Sequence, residues 1–315
     1  CLLVGFAVGV PQRRRFQRGL QRPARVEPSE ATVVLQEAED EVVEETEDEV
    51  VEDRLQQKPW LQRHLPHGGE TSEDLLLHFM QALEERGVQL YEAQEEAIVE
   101  IFSGAHVVLD TPTGSGKSLV AVAALFKALA EGGKAYYTSP TKALTSEKFF
   151  DLCRHFGPAS VGMATGDISL NQRAPLICCT AEVLASISLH EGQASGITTV
   201  VMDEFHYFAD PDRGSAWEVP LWRMTGTFSS TTFLLMSGTL GANDSLYRTL
   251  QSRSGRPVRV VSSQDRPVPL HFAYSEGSVA ASVAQLIRSK RFPVYIVHFS
   301  QREALRTAQE LAEAQ

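Results

Sequence analysis

The residues best able to do chemistry lie in two short runs. The first is TPTGSGKS, Thr111–Ser118, which follows the apolar run HVVLD and opens the helical pattern LVAVAALFKALA. A strand that turns through glycines into a helix makes a phosphate cradle. Gly114 and Gly116 let backbone N–H groups converge on phosphate oxygens, and the helix adds the positive end of its dipole. The candidate cradle is Thr113, Gly114, Ser115, Gly116, Lys117 and Ser118. In it Lys117 would reach the β- and γ-phosphates and Ser118 would offer its hydroxyl to Mg2+. The full GxxxxGK[ST] form is not met, because Thr111 stands where the first Gly would be.

The second run is VVMDEFH, which places Asp203 and Glu204 at the end of an apolar strand. On the same edge of a parallel sheet as the cradle, Asp203 would hold Mg2+ and Glu204 would orient or deprotonate an attacking water. Strand-terminal acids alone are commonplace; paired with the cradle they point to nucleoside triphosphate hydrolysis.

These residues need a scaffold, and the pattern supplies one. Two amphipathic helices are expected first, one capped by TSED at residues 71–74 and one over YEAQEEAIVEIF. Then short apolar strands alternate with helices: HVVLD, KAYYTS, SVGMAT, LICCT, TTVVMD and TTFLLMS are the strands. Continuous apolar strands separated by helices argue an α/β fold with a mostly parallel sheet buried on both faces. From about Gly277 the pattern restarts with a helix at 278–288, a strand PVYIVHF at 293–299 and a helix QREALRTAQELAEA.

Composition narrows the class. Of 315 residues 43% are hydrophobic and 22% charged, which excludes collagen-like, low-complexity and wholly disordered chains. The net charge of -11 sits in the tail, where residues 37–53 carry eleven acids and no base and include the repeat EDEVVEE, EDEVVED. From Arg54 onward 23 Lys+Arg face 27 Asp+Glu, so strong bulk steering of nucleic acid is not indicated and a basic groove must be local. Residues 1–60 are expected to be a disordered tail, basic and then acidic, and 61–74 a linker anchored upstream by Trp60. The four cysteines, Cys1, Cys153, Cys178 and Cys179, form no CxxC pair. Neither a disulfide framework nor a metal cluster is expected, and reduced thiols in the cytoplasm fit better. The opening apolar run is ten residues, about half of a membrane span, so no membrane association is expected.

Beyond these inferences the chain resembles the superfamily-two helicases. TPTGSGKS, DEFH (203–206) and SGT (237–239) follow one another as that family's loop, DExH box and SAT-like tripeptide do. The surroundings are similar to bacterial members of its Ski/Mtr-type DExH group. YEAQEEAI puts Gln94 where the family reads adenine, and a Gln amide offers both donor and acceptor to the adenine edge. PTKALTSEKF (140–149) resembles the element gripping the nucleic-acid backbone, which implicates Pro140, Thr141 and Lys142. TGD (165–167) and CCTAEVL (178–184) resemble the next two contacts, implicating Gly166, Asp167 and Thr180. DPDRGSAWE (210–218) is similar to the segment after the box, within which Trp217 is expected in the core. The resemblance implies that His206, Ser237 and Thr239 couple hydrolysis to strand movement. Gly238 departs from the family's usual Ala.

The resemblance therefore implies a RecA-like ATP-binding domain over 75–275 and the start of a second over 276–315. The implied activity is ATP-dependent unwinding of nucleic acid, with ATP and Mg2+ as cofactors and a strand of RNA held through its backbone. A DNA helicase of the same superfamily and an ATP-gated clamp that does not unwind stay open as alternatives. The family's late arginine motif would come after Gln315, so the chain as it stands is expected to bind Mg-ATP and hydrolyse it negligibly.

Overall fold

In the computed structural model, residues 4–7, 59–66, 68–190, 196–227, 231–240, 243–266 and 270–313 are described. The acidic repeat at 39–53, with the rest of the expected tail up to residue 58 apart from 4–7, lies outside them. They fall into two compact units, one within Glu39–Arg266 and one made from Cys1–Ala38 and Pro267–Gln315. That division comes at Arg266/Pro267, nine residues before the boundary expected from sequence.

Within Glu39–Arg266 the apolar runs become strands of one sheet. They are β2 (His106–Asp110), β3 (Lys134–Ser139), β4 (Val161–Ala164), β5 (Ser169–Leu170), β6 (Leu176–Thr180), β7 (Ile197–Met202), β8 (Thr232–Ser237) and β9 (Val258–Ser262). Their spatial order is β5-β4-β6-β3-β7-β8-β2-β9, and all pairs are parallel except β4 with β5. Alternate residues of each strand point to opposite faces. Val107, Leu109, Tyr137, Cys178, Val201 and Leu234 enter one core. Val108, Tyr136, Cys179, Val200, Met202 and Leu235 enter the other. The first core is covered by α1 (Ser72–Glu85), α2 (Glu92–Phe102), α3 (Lys117–Ala130) and α4 (Lys142–Phe156), and the second by α5 (Ala181–Leu189), α6 (Ser215–Thr227) and α7 (Asp244–Ser254). Both faces are thus dry, as continuous apolar strands require.

The expected N-cap of α1 forms: Thr71 Oγ1 accepts the Asp74 N–H, and Asp74 accepts the Thr71 N–H in return. Order reaches further upstream than the sequence pattern. Trp60–His64 is a 3-10 turn whose Leu61 is fully buried, and the Trp60 indole donates to His155 Nδ1 at 2.7 Å. So the segment expected as a linker begins by packing on α1 and α4. Trp217 is fully buried, as expected of a core residue, and stacks on Tyr207 with centroids 5.3 Å apart.

Several elements differ from expectation, the short strands β1 (Val4–Ala7), β5 and β10 (Leu270–Ala273) among them. The strand β9 and the helix α6 arise where the sequence pattern signals neither. Conversely, residues 293–299 pair with no strand among the described residues, and Tyr295 and Phe299 are 89% and 103% exposed. In the second unit, β1 pairs antiparallel with β10, accompanied by α8 (Val279–Arg288) and α9 (Gln301–Glu313). None of the described helices is long and apolar enough to cross a membrane.

One core residue makes stability depend on pH. The His106 ring is fully buried beside Phe233, and its Nδ1 accepts the Phe233 N–H at 3.0 Å. Burial, helped by the charge of Arg256, pushes its pKa down from 6.5 to about 4. The fold needs the neutral ring, whereas the unfolded chain takes up the proton below 6.5. Stability from this group is therefore full above 6.5, drains as pH falls toward about 4, and levels off below. From near pH 7 to near pH 5 the loss should be about 2 kcal/mol. Denaturant melts of the wild-type chain and His106→Asn at both pH values isolate the effect, and the variant should lack that share of the drop.

Candidate functional site

A parallel sheet sends every strand's end, and the loop after it, to one edge. Here that edge collects the ends of β2, β3, β4, β6, β7 and β8, and with them almost every residue singled out from the sequence. Gln94 alone reaches it from α2, a helix that precedes the sheet.

The loop after β2 turns through Gly114 (φ 88) and Gly116 (φ 78), left-handed conformations that suit glycine. Gly116 is also the N-cap of α3, and a Cβ there would lie 2.3 Å from Gln94 Nε2. That space belongs to Gln94, which is 6% exposed. Its Oε1 accepts the Tyr91 N–H at 2.9 Å, and its Nε2 donates to the carbonyls of Ser115 (3.2 Å) and Gly116 (3.0 Å). Thr111, the departure from the usual glycine, bonds Ser115 Oγ at 2.7 Å through its hydroxyl, and its N–H donates to the Ser237 carbonyl. A hydroxyl thus holds the turn that a glycine would leave free.

Lys117 Nζ donates to the loop's own carbonyls, Thr111 O at 2.7 Å and Pro112 O at 3.1 Å. Burial lowers its pKa below the ordinary lysine value, against the upward pull of Glu204, Asp203 and Asp110. Ser118, the next residue, accepts a hydrogen bond from Lys148 Nζ at 2.9 Å.

Opposite the loop, Asp203 is fixed on both oxygens. The buried Tyr137 hydroxyl donates to Oδ2 at 2.6 Å, and the Glu204 N–H to Oδ1 at 3.0 Å. Burial and the Asp203 charge raise the Tyr137 pKa far above that of a free phenol, so it stays a donor. Glu204 is held at φ 51, a left-handed conformation costly for a residue with a side chain. From there its Oε2 lies 3.2 Å from His206 Nδ1, which also faces Ser237 Oγ at 3.3 Å. Ser237 Oγ in turn accepts the Thr239 N–H at 3.2 Å. The expected coupling residues His206, Ser237 and Thr239 are therefore connected to one another, and through His206 to Glu204. Between its last two members Gly238 lies on the cradle: a Cβ would meet Thr111 O, Thr113 N and Thr113 Oγ1, each at 3.5 Å.

The expected strand contacts separate into exposed and covered groups. Thr141 is exposed and caps α4, its Oγ1 accepting the Leu144 N–H. Lys142 forms an exposed ion pair with Asp167, beside Gly166. Pro140 is buried and its carbonyl accepts from Arg213 at 2.6 Å. Thr180 is 5% exposed, and its hydroxyl bonds the Glu182 carboxylate. Tyr137 lies in no motif, while Lys148 and Arg213 lie inside the segments PTKALTSEKF and DPDRGSAWE without being singled out in them. Their contacts become visible only when the chain is folded.

The profile of the DEAD/DEAH box helicase family matches residues 91–246, the span that holds these clusters. Those residues belong to that family. Over 189 residues the chain is 33% identical to the DExH-box ATP-dependent RNA helicase DExH15 chloroplastic of Arabidopsis thaliana, covering 58% of this chain and 16% of the relative. Over 204 residues it is 37% identical to the ATP-dependent DNA helicase Hel308 of Pyrobaculum calidifontis, covering 62% and 28%. The chain thus spans under a third of either relative's length. Among solved structures, the DUF1998 helicase MrfA aligns with a TM-score of 0.56 at 22% identity, over 75% of this chain and 40% of that one. That likeness is one of fold alone, and it agrees with the mostly parallel sheet.

Two glycines of the helicase domain should respond oppositely to alanine. At Gly238 a methyl finds ordinary contact and a backbone open to side chains, so Gly238→Ala should stabilise the chain by about 0.4–1 kcal/mol. At Gly116 the backbone is left-handed and Gln94 occupies the space, so Gly116→Ala should destabilise it. Denaturant midpoints of the two variants check both signs.

Proposed function

We propose that this chain is the ATP-binding portion of an ATP-dependent helicase that moves along or unwinds RNA. The observation that carries the proposal is the continuous chain Glu204–His206–Ser237–Thr239, whose tripeptide lies against the phosphate cradle. It joins the residues suited to hydrolysis to a segment that can move.

Thr113–Ser118 would cradle the phosphates, with Lys117 released from the loop carbonyls to the β/γ oxygens. Of the donor and acceptor expected of Gln94, the Nε2 donor is engaged by the loop carbonyls, so the contact to adenine rests on the remaining lone pair of Oε1. That lone pair can accept from the 6-amino group of adenine and has nothing to receive from the 6-carbonyl of guanine. Ser118 and Asp203 offer only oxygen, the donor set that Mg2+ prefers, and no three His, Cys, Asp or Glu side chains gather into a metal site among the described residues. Mg2+ held there with phosphate oxygens would neutralise charge developing on the transferred group. Glu204 would orient the attacking water and take its proton, and His206 would relay the change to Ser237.

For the strand, Thr141 and Lys142 offer a hydroxyl and a charge to the backbone, contacts that position without reading sequence. Gly166 and Asp167 line the same edge. RNA is supported by the name of the plant relative and by the Ski/Mtr-type motifs. The identity with Hel308 favours a second reading, a DNA helicase, since backbone contacts hardly distinguish the sugars. A cytoplasmic location belongs to the proposal, supported by the free thiols of Cys153, Cys178 and Cys179.

Titration of the chain with a fluorescent ATP analogue and Mg2+ tests the nucleotide site. Lys117→Ala should weaken binding by about ten- to a hundredfold. Glu204→Gln should keep the affinity while lowering any turnover by about a hundredfold or more. Unchanged affinity in Lys117→Ala would overturn the assignment. Competition between matched single-stranded oligoribo- and oligodeoxyribonucleotides decides the substrate: a preference that depends on the 2′-hydroxyl supports RNA, and equal or tighter DNA binding supports the second reading.

A further inference from the structure

The segment that follows the acidic box is built around one arginine. Asp210 Oδ1 accepts the N–H groups of both Asp212 and Arg213 at 2.9 Å, which closes a tight turn. Gly214 completes it, since a Cβ there would lie 2.4 Å from the Phe208 carbonyl oxygen and 2.6 Å from that of Asp210. The Arg213 guanidinium leaves this turn over the rings of Tyr207 and Trp217, 5.4 and 5.6 Å from their centroids. Tyr207 lies in the 3-10 turn directly after the box, and Trp217 is fully buried.

From that seat the guanidinium reaches two other loops. Nη2 donates to the Pro140 carbonyl at 2.6 Å, immediately before Thr141 and Lys142. Nη2 and Nε donate to Glu182 Oε1 at 2.6 and 3.1 Å. Partial burial would raise the Glu182 carboxyl, and the hydrogen bonds from Arg213 and Thr180 with the Arg213 charge outweigh it, holding it below the ordinary value. One planar group with fixed donor directions therefore touches the end of β3, the start of α5 and the turn after the box. Lysine, a point charge on a flexible stem, cannot make this set of contacts at once.

We propose that Arg213 is a positioning residue that holds the loops at Pro140–Lys142 and Thr180–Glu182 in register with the Asp203–His206 box. The inference rests on the reading that these loops grip nucleic acid. Arg213 itself need touch neither nucleotide nor strand. Its aromatic seat moves with the box, and its donors carry that movement to the backbone of the gripping loops.

The test uses the whole chain, a fluorescein-labelled oligouridylate read by anisotropy, and the fluorescent ATP analogue with Mg2+. Arg213→Lys keeps the charge and Glu182→Gln removes a negative one. On charge alone the first should leave strand affinity unchanged and the second should raise it. Positioning demands the opposite: both should weaken oligouridylate binding, by roughly tenfold for the loss of a charge-assisted hydrogen bond. ATP-analogue affinity should stay within about twofold, far less than one such bond. Amide hydrogen exchange should quicken at residues 141–145 and 181–184 and not in the core of β7. Wild-type strand affinity in Arg213→Lys, or tighter binding by Glu182→Gln, would overturn the inference while the functional reading stands. A wild-type chain that takes the ATP analogue but neither oligouridylate nor oligodeoxythymidylate would overturn the nucleic-acid reading, and the positioning role with it.

Discussion

A parallel sheet buried on both faces leaves chemistry one place to happen. Strands that point the same way must be joined by crossovers, and the helices of those crossovers cover both faces. What remains polar and accessible is the edge where strands end and loops begin. In this chain the alternation of Val107 and Val108, or of Tyr136 and Tyr137, between two cores fixes the register of each strand. A slip by one residue would turn the strand over. It would also move Asp203 and Ser237, which end or follow β7 and β8. The cores and the site are thus specified by the same pairing.

On that edge the polar groups largely satisfy one another. Lys117 donates to loop carbonyls, Lys148 to Ser118, Tyr137 to Asp203, and Lys142 pairs with Asp167. Partly buried groups cannot be left without partners cheaply, so a site meant for a highly charged ligand needs internal substitutes for it. Exchange of such contacts for phosphate oxygens or Mg2+ is then close to balanced, which suits a cycle of binding and release. The left-handed Glu204 adds a strained position where the water-orienting carboxylate is needed.

The sequence discloses most of this arrangement, and the exceptions have physical causes. Strands such as LICCT and TTFLLMS are legible because burial on both faces makes them continuously apolar. The strand β9 is not, because it lies at the sheet's edge and mixes Arg259 among its valines. The helix α6 is obscured by Pro220 inside it. PVYIVHF carries the pattern of a buried strand, yet a strand needs a neighbour, and none pairs with it among the described residues. The cradle and acidic box are legible because their chemistry demands residue types at fixed local spacing. Tyr137 and Arg213 find their partners across 66 and 73 residues of chain, and no local spacing announces those pairings, even though Arg213 lies within DPDRGSAWE. For Thr180 the motif marks the right loop, while burial and the bond to Glu182 give its hydroxyl a structural partner.

A departure from the general phosphate-loop form and a departure from the family's tripeptide meet at one contact. Thr111 replaces a glycine in the loop, Gly238 replaces an alanine in the tripeptide, and the open side of Gly238 faces the Thr111 carbonyl and Thr113. Space does not demand the glycine, since a methyl there would make only ordinary contact. Without that methyl, the junction between loop and tripeptide relies on hydrogen bonds: Thr111 N–H to Ser237 O, Leu240 N–H to Asp110 Oδ1, and Ser237 Oγ beside His206. Packing resists displacement in every direction, whereas a hydrogen bond can swing and re-form. The loop side of the junction is stiffened by the bond between Thr111 and Ser115, and the tripeptide side is freed by Gly238. Movement at this junction should therefore concentrate in residues 237–239, the segment through which the acidic box communicates.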